Sequence, residues 1–149
     1  MREKMKVGVM EGIRQMSVRM MDVPEIGDDE ILAKVYSCNI CTTDWQTWAG
    51  LRGSQGRKFP WAPGHEHAGV VVAVGSKVRP EITIGTHVVF SYTGCGECHF
   101  CRKGFPSRCT AHRSEPVKEG VSGSFGMAQY LASKASAVYK VSEDLPFEE

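Results

Sequence analysis

The sequence predicts a single, mainly β domain built as a small β-barrel or sandwich. The chain has 149 residues, a length that fits one domain burying roughly 70% of its unfolded surface. Several short segments carry the alternating or β-branched pattern of strands. With 16 glycines and 7 prolines, many tight turns are expected rather than long helices. Short strands joined by glycine-rich turns are typical of small barrels and sandwiches.

Strands and one helix are predicted in the following order along the chain. The strand segments are residues 6–10, 15–20, 30–36, 70–74, 87–90, 128–131 and 137–141. The one internal helix candidate covers residues 43–49, with Thr42 as the N-cap and Gly50 just after its end. In 144–149, Pro146 and two glutamates predict the first turn of another helix, although a frayed polar tail fits equally well. If a helix begins there, the chain is a piece of a longer protein.

Composition and charge exclude several classes of function. The net charge is +1, so no basic surface for nucleic acid or for an anionic membrane is expected. The longest apolar stretch, residues 68–74, is far too short to span a bilayer. Residues 7–10 are likewise too few for the apolar core of a signal peptide. We therefore expect a cytoplasmic, reducing location, where clustered cysteines indicate metal binding or catalysis more often than disulfides.

Four of the six cysteines form a compact cluster with the pattern C-x2-C-x2-C-x7-C: Cys95, Cys98, Cys101 and Cys109. This spacing brings four thiolates to one tetrahedral zinc and leaves no open position, which is typical of a structural site. Arg102, Lys103 and Arg108 would offset the negative charge of the zinc–thiolate group. A disulfide pair and an iron–sulfur cluster are the alternatives. His99 is either a substitute ligand or an exposed residue of the loop.

Two further segments supply ligand types for a second metal. His65 and Glu66 precede the apolar run 70–74 and offer an imidazole beside a carboxylate. Cys41 offers a thiolate, and it is followed by the Thr43 hydroxyl and by the Asp44 carboxylate, which could hold a ligating imidazole. Cys and His ligation with one position left for water or substrate is the arrangement of a catalytic zinc. A lone histidine is more often a hydrogen-bonded structural residue, so neither segment decides the matter alone.

Together these motifs resemble the N-terminal catalytic domain of the zinc-dependent medium-chain alcohol dehydrogenases. The similarity runs through Asp29-Glu-Ile-Leu-Ala-Lys-Val35, Cys41-Thr-Thr-Asp44, Gly64-His-Glu-x2-Gly69-x5-Gly75 and Gly123-Ser-Phe-Gly-Met-Ala-Gln-Tyr130. It covers nearly all of residues 1–149 and implies a GroES-like, partly open β-barrel with short helices and a zinc-binding lobe. The nucleotide-binding domain of that family is not expected within this chain.

The resemblance also implies roles for particular residues. Cys41 and His65 match two catalytic-zinc ligands, and Glu66 matches a carboxylate that can reach the metal. Asp44 matches the group that orients the zinc-bound histidine, and Thr43 matches the hydroxyl that passes on the proton of the alcohol. The four clustered cysteines match the structural-zinc ligands.

The activity that the resemblance implies is oxidation of an alcohol to an aldehyde or ketone. In the family, zinc lowers the pKa of the bound alcohol, and hydride passes from its carbon to NAD or NADP. A small-molecule alcohol or carbonyl substrate is therefore expected, with no nucleic-acid or membrane partner. The full-length protein is expected to be a homodimer or homotetramer, and the fragment alone is expected to be inactive.

Three features depart from the family pattern. Gln46 stands where many members have a histidine that continues the proton relay, and an amide does not titrate near neutral pH. The family's third catalytic ligand, a Cys or an acidic residue, falls just beyond Glu149. No Gly-x-Gly-x-x-Gly fingerprint follows a strand, and Gly120-x2-Gly123-x2-Gly126 has the wrong spacing for one.

Other interpretations account for fewer of these residues. A non-catalytic, zinc-stabilised β-barrel that serves as a binding or scaffold module needs only the four-cysteine cluster. A relative without catalytic zinc, such as a quinone reductase, would lack both zinc motifs. Trp45, Trp48 and Tyr92 either line a substrate pocket or pack in the core. The favoured prediction is the catalytic domain of a zinc-dependent alcohol or polyol dehydrogenase.

Overall fold

A computed structural model describes residues 3–51, 58–91, 94–95, 97–110 and 117–147 of the chain. Within these ranges the strands are, in chain order, β1 (Lys4–Gly12), β2 (Gln15–Asp22), β3 (Glu30–Cys38), β4 (Trp61–Ala62), β5 (His67–Val74), β6 (His87–Phe90), β7 (Val117–Lys118), β8 (Val121–Gly123), β9 (Tyr130–Lys134) and β10 (Val138–Lys140). The helices are α1 (Thr42–Ala49) and α2 (His99–Arg102), with 3-10 turns at Pro106–Arg108 and Ala135–Ala137. No helix in the described part is long and apolar enough to cross a bilayer.

The strands form two five-stranded sheets that curl around a common core. One sheet has the order β2-β1-β4-β8-β7, and the other has the order β10-β6-β5-β3-β9. The pairing of β4 with β8 is parallel, whereas the other strand pairs of the described residues are antiparallel. A single bridge between Val7 and Ala128 links the two sheets. The predicted mainly β class and the partly open barrel are confirmed.

Alternating side chains place the core inside this barrel. On β1, Met5, Val7 and Val9 are fully buried, while the alternate residues Lys4 and Lys6 are exposed. This period of two is what a strand with one buried face requires. The β1 residues pack with Leu131 of β9, Phe125 and others in one cluster, and a second cluster lies under β3, β5 and β6. Apolar burial on both sheets therefore stabilises the partly open barrel.

Several sequence predictions need correction. The strand predicted over 128–131 begins only at Tyr130, because Ala128 bridges to Val7 in the opposite sheet. The strand predicted over 137–141 begins only at Val138, because Ala137 belongs to the 3-10 turn Ala135–Ala137. The short strands β4, β7 and β8 and the helix α2 were not predicted. Residues 143–147 form turns rather than a helix, and 148–149 lie outside the described residues.

Helix α1 occupies the predicted segment but begins one residue earlier. Its N-cap is Cys41 rather than Thr42, and the Cys41 N–H donates to Oδ2 of Asp44 at 3.0 Å. The helix ends at Gly50, whose φ of 73° is left-handed. A Cβ on Gly50 would lie 2.9 Å from the side chain of Ile13, so only glycine fits there. The helix is thereby fixed against the β1–β2 turn.

The pairing of β3 with β5 brings two distant loops to one edge of the sheet. Cys38, the last residue of β3, pairs with His67, the first residue of β5. The chain leaving β3 therefore meets the chain entering β5, and the Asn39 N–H donates to the Glu66 carbonyl at 2.8 Å. This edge carries Cys41 on one loop and His65 on the other.

Candidate metal centres

The four clustered cysteines lie in a lobe formed by residues 94–95 and 97–110, between β6 and β7. Their Sγ atoms all lie within 4.8 Å of one another, and the thiol pairs Cys98–Cys101, Cys95–Cys101 and Cys98–Cys109 are 3.5, 4.0 and 4.0 Å apart. Sulfurs about 2.3 Å from one tetrahedral centre stand about 3.8 Å apart. None of these four cysteines is in a disulfide, and these separations are far too long for an S–S bond. The cluster therefore fits a four-thiolate metal site.

The backbone of the lobe favours thiolates over thiols. The N–H groups of Cys98 and Cys95 donate to the sulfurs of Cys95 and Cys109, both at 3.3 Å. Hydrogen bonds from the backbone of Cys101 and Thr110 lower the pKa of the Cys98 thiol to about 6. Donors aimed at sulfur stabilise the charged form that binds metal.

Charged and aromatic residues of the lobe face outward. Arg102, Lys103 and Arg108 are exposed. His99 is exposed and its ring packs edge-on against Phe100 at 5.5 Å. The structure thus places His99 on the surface, outside the four-sulfur cluster.

A second cluster joins the loops that follow β3 and precede β5. One ligand atom each from Cys41, His65 and Glu66 lies within 4.8 Å of the others. Cys41 is half-buried, whereas His65 and Glu66 are exposed. Three ligands open to solvent on one side leave room for a further ligand, as in catalytic zinc sites. Among the described residues, no other group of three or more such side chains comes together in this way.

The Asp44 carboxylate ties these two loops together from inside. Its side chain is buried at 6% exposure. Oδ2 accepts from the Cys41 N–H at 3.0 Å, and Oδ1 accepts from the Gly64 N–H at 3.3 Å. Nδ1 of His65 lies 3.6 Å from Oδ1, slightly beyond hydrogen-bond distance. Asp44 thus faces Nδ1 of His65 and leaves Nε2 on the side of the other ligands.

The hydroxyl of Thr43 lies next to the same imidazole. Its Oγ1 is 3.3 Å from Nε2 of His65, and the side chain is exposed at the open side of the cluster. Gln46 is half-buried on α1. Because Thr43 and Gln46 are three residues apart in a helix, they share one face of α1.

Cys38 is the remaining cysteine, and its chemistry differs from that of the ligand candidates. Burial, together with the nearby carboxylates of Asp44 and Glu66, raises the pKa of the Cys38 thiol to about 11. The thiol is therefore protonated at neutral pH and a poor metal ligand.

Residues 27–143 match the family model described as the alcohol dehydrogenase GroES-like domain. The chain belongs to this family. Among its relatives, the D-arabinitol dehydrogenase 1 of Uromyces fabae is 34% identical over 129 residues, which cover 86% of this chain and 35% of that protein. The sorbitol dehydrogenase of Bacillus subtilis is 32% identical over 151 residues, covering 99% of this chain and 41% of that protein.

Solved structures of the alcohol dehydrogenase family share this fold. The short chain alcohol dehydrogenase from Escherichia coli CFT073, complexed with NADH, superposes with a TM-score of 0.79 at 28% identity. The match covers 97% of this chain and 40% of that chain. This GroES-like chain therefore spans less than half the length of the relatives it matches.

The two tryptophans of α1 line an apolar cavity in this GroES-like domain. The cavity has a volume of about 250 Å³, and Trp45 and Trp48 share it with Met10, Met16, Ile40, Met127 and the edge of Asp44. Trp45 is 52% exposed, so it is not a core residue. Tyr92, the third predicted pocket residue, lies outside the described residues.

Sequence reasoning missed the backbone contacts that hold His65 in place. Gly64, the residue before His65, is held in two ways: its N–H donates to Oδ1 of Asp44, and Gly126 packs closely against its backbone. The available signal is the segment Gly123–Tyr130, which contains Gly126 and resembles a family motif but does not by itself indicate a contact with Gly64.

Proposed function

We propose that this chain is the catalytic domain of a zinc-dependent alcohol or polyol dehydrogenase. The observation that carries the proposal is the meeting of Cys41, His65 and Glu66, with the Thr43 hydroxyl 3.3 Å from the same imidazole. A scaffold module would need no such open cluster. The relatives named above supply the substrate class, since two of them are polyol dehydrogenases by name.

In this proposal the second cluster holds a catalytic zinc. Cys41 and His65 are two ligands, and Glu66 is a carboxylate that can enter the coordination sphere. When bound, the zinc supplies Lewis acidity that lowers the pKa of an alcohol hydroxyl. Asp44 holds the imidazole by its Nδ1 edge and directs Nε2 toward the metal, the usual task of a carboxylate behind a ligating histidine.

In this proposal, Thr43 and Gln46 assist the transfer of the proton from the substrate hydroxyl. The Thr43 hydroxyl stands at the open side of the cluster, where it can accept the proton of a substrate hydroxyl and pass its own proton onward. Gln46 lies on the same helical face and can orient a water molecule. Because its amide does not become charged near neutral pH, the proton must continue to solvent through water.

The four-cysteine lobe takes the structural zinc in this proposal. Four thiolates close the coordination sphere, so substrate has no open position. The surrounding Arg102, Lys103 and Arg108 offset the charge of the site. Its contribution is to the folded state of the lobe rather than to the reaction.

The complete enzyme extends beyond the GroES-like domain of residues 1–149. A nucleotide-binding domain would bring NAD or NADP and the third zinc ligand, and the 149-residue chain alone would transfer no hydride. We further propose a cytoplasmic homodimer or homotetramer that acts on a small-molecule alcohol or carbonyl, without nucleic-acid or membrane partners.

The test is cofactor reduction by the full-length protein. Purified protein is given sorbitol, arabinitol or a simple alcohol with NAD or NADP, and absorbance of the reduced nicotinamide is followed. Cys41→Ser should abolish reduction and remove one zinc per chain, while the matched control Cys38→Ser should retain both. Unchanged turnover in Cys41→Ser would contradict the role of Cys41 as a catalytic-zinc ligand. No reduction with any alcohol by zinc-loaded wild type would support the scaffold interpretation instead.

A further inference from the structure

A glycine far along the chain touches the backbone that presents His65. A Cβ added to Gly126 would lie 2.5 Å from the Gly64 carbonyl oxygen and 2.7 Å from its carbon. In the other direction, a Cβ on Gly64 would lie 2.6 Å from the Met127 nitrogen. The two backbones therefore cross in direct contact, with no space for a side chain on either.

The segment that carries Gly126 is held rigidly on two sides. Its N–H groups donate in steps of two residues to the chain before His65: Ser122 to Pro60 at 3.1 Å, Ser124 to Ala62 at 3.0 Å and Gly126 to Gly64 at 3.1 Å. On its other side, the Met127 carbonyl accepts from the Gly8 N–H of β1 at 2.8 Å. The segment is therefore tied by backbone hydrogen bonds on both sides.

We propose that Gly126 is a positioning residue for the second metal centre. Because Gly126 has no Cβ, its segment, which is hydrogen-bonded to β1, can lie directly against Gly64 and hold Gly64 next to Asp44. Gly64 donates its N–H to Oδ1 of Asp44, and the next residue is His65. The same carboxylate oxygen lies 3.6 Å from Nδ1 of His65. Gly126, Gly64, Asp44 and His65 thus form one continuous chain of contacts.

The size of the effect follows from the distances. A Cβ essentially never lies closer than 3.0 Å to another heavy atom, so alanine at 126 must widen its 2.5 Å separation from the Gly64 carbonyl oxygen by at least 0.5 Å. Metal–ligand distances tolerate only about 0.2 Å, and functional constellations only about 0.5 Å. A shift of this size breaks the Gly64–Asp44 contact and moves the imidazole. The lobe is unaffected, because its four ligands come from residues 95–109 alone.

The experiment measures Co²⁺ affinity at the two centres of the full-length protein, and the inference rests on the proposed function. Co²⁺–thiolate absorption is titrated in wild type and in Gly126→Ala, with Cys41→Ser as the reference for binding at the lobe alone. We expect Gly126→Ala to weaken Co²⁺ at the Cys41 centre by about 10–100-fold, the usual effect of losing support behind a ligand. Affinity at the lobe should not change.

Gly75→Ala is the matched control for loss of stability. Its Cβ would lie 2.3 Å from the Asp28 carbonyl oxygen, a backbone clash at least as severe, at the opposite end of β5. It should lower the unfolding midpoint but leave Co²⁺ affinity at the Cys41 centre intact. Equal weakening by both variants, or wild-type affinity in Gly126→Ala, would overturn the inference. If wild type binds no Co²⁺ at Cys41, the proposed function itself fails and the inference fails with it.

Wild-type protein provides a second measurement should Gly126→Ala not fold. By thermodynamic linkage, metal bound at His65 must stabilise the contacts that position His65. Amide exchange at Gly126 and Met127 should therefore slow when Co²⁺ fills the Cys41 centre, while the remote Lys77 N–H, bonded to Asp28 at 2.8 Å, should not respond. Unchanged exchange at Gly126 and Met127 would contradict the proposal.

Discussion

Replacing Asp44 by alanine should destabilise the metal-free chain by about 3 kcal/mol. Its buried carboxylate accepts from the N–H of Cys41 at 3.0 Å and from the N–H of Gly64 at 3.3 Å. Removing the charged partner of a buried donor costs about 1.5–3 kcal/mol. The first bond is only partly buried and the second is long, so we take the lower end of that range, about 1.5 kcal/mol, for each.

Two further variants separate the hydrogen bonds from charge in general. Asp44→Asn keeps one acceptor oxygen, which can still serve the Cys41 N–H, so its cost should be about half that of Asp44→Ala. Glu66→Gln removes a carboxylate that is exposed and should leave the metal-free stability unchanged. The predicted order of stability is therefore wild type and Glu66→Gln, then Asp44→Asn, then Asp44→Ala.

Urea unfolding followed by circular dichroism measures these differences by linear extrapolation. The midpoint should fall while the slope m stays constant, because the variants do not change how much surface unfolding exposes. A loss below about 1 kcal/mol for Asp44→Ala, within the usual range of a single neutral hydrogen bond, would refute the argument. It would mean that Asp44 does not tie the two loops together.

Three other predictions concern the two metal centres. Cys109→Ser should release the metal of the lobe and disorder residues 95–109, because binding at a structural site supplies about 10 kcal/mol or more of folding energy; metal analysis and the unfolding midpoint check this. Thr43→Ala should lower turnover of the full-length enzyme by about 10²–10⁴-fold at unchanged zinc content, as expected for a lost proton-transfer group. Gln46→His should alter the pH–rate profile more than the metal affinity, since only the histidine titrates near neutral pH.

The parts of the fold that local pattern encodes could be predicted. The alternation of β1 and the helix α1 are visible in short windows because each element's own side chains choose its buried face. The four-cysteine cluster could also be predicted, since all four cysteines lie in one loop and their spacing alone identifies them. The outward position of His99 follows from the same spacing, because four cysteines already complete a tetrahedral set.

The elements that depend on distant partners could not be predicted in this way. Strand β4 has only two residues, and it exists because Trp61 pairs with Met10 on one side and Ser122 on the other. Ala128 lies in a segment with a strand-like pattern. It forms an isolated bridge with Val7 instead and is not part of β9. The prediction of Thr42 as the N-cap of α1 was wrong for a related reason. Thr42 has the better capping side chain, but the Asp44 carboxylate captures the N–H of Cys41.

The two metal centres differ in how the chain assembles them, and this explains why only one could be identified from spacing alone. The lobe closes a short loop, with the Cys95 N–H bonded to a sulfur only 14 residues away, so little chain entropy opposes its formation. The second centre needs β3 and β5 to pair, Asp44 to join their ends and Gly126 to press against Gly64. Its geometry is therefore a product of the whole barrel. We therefore expect stability and function to be divided between them: the lobe should bind metal as a local unit, whereas a substitution far from the second centre should disturb that centre through the backbone.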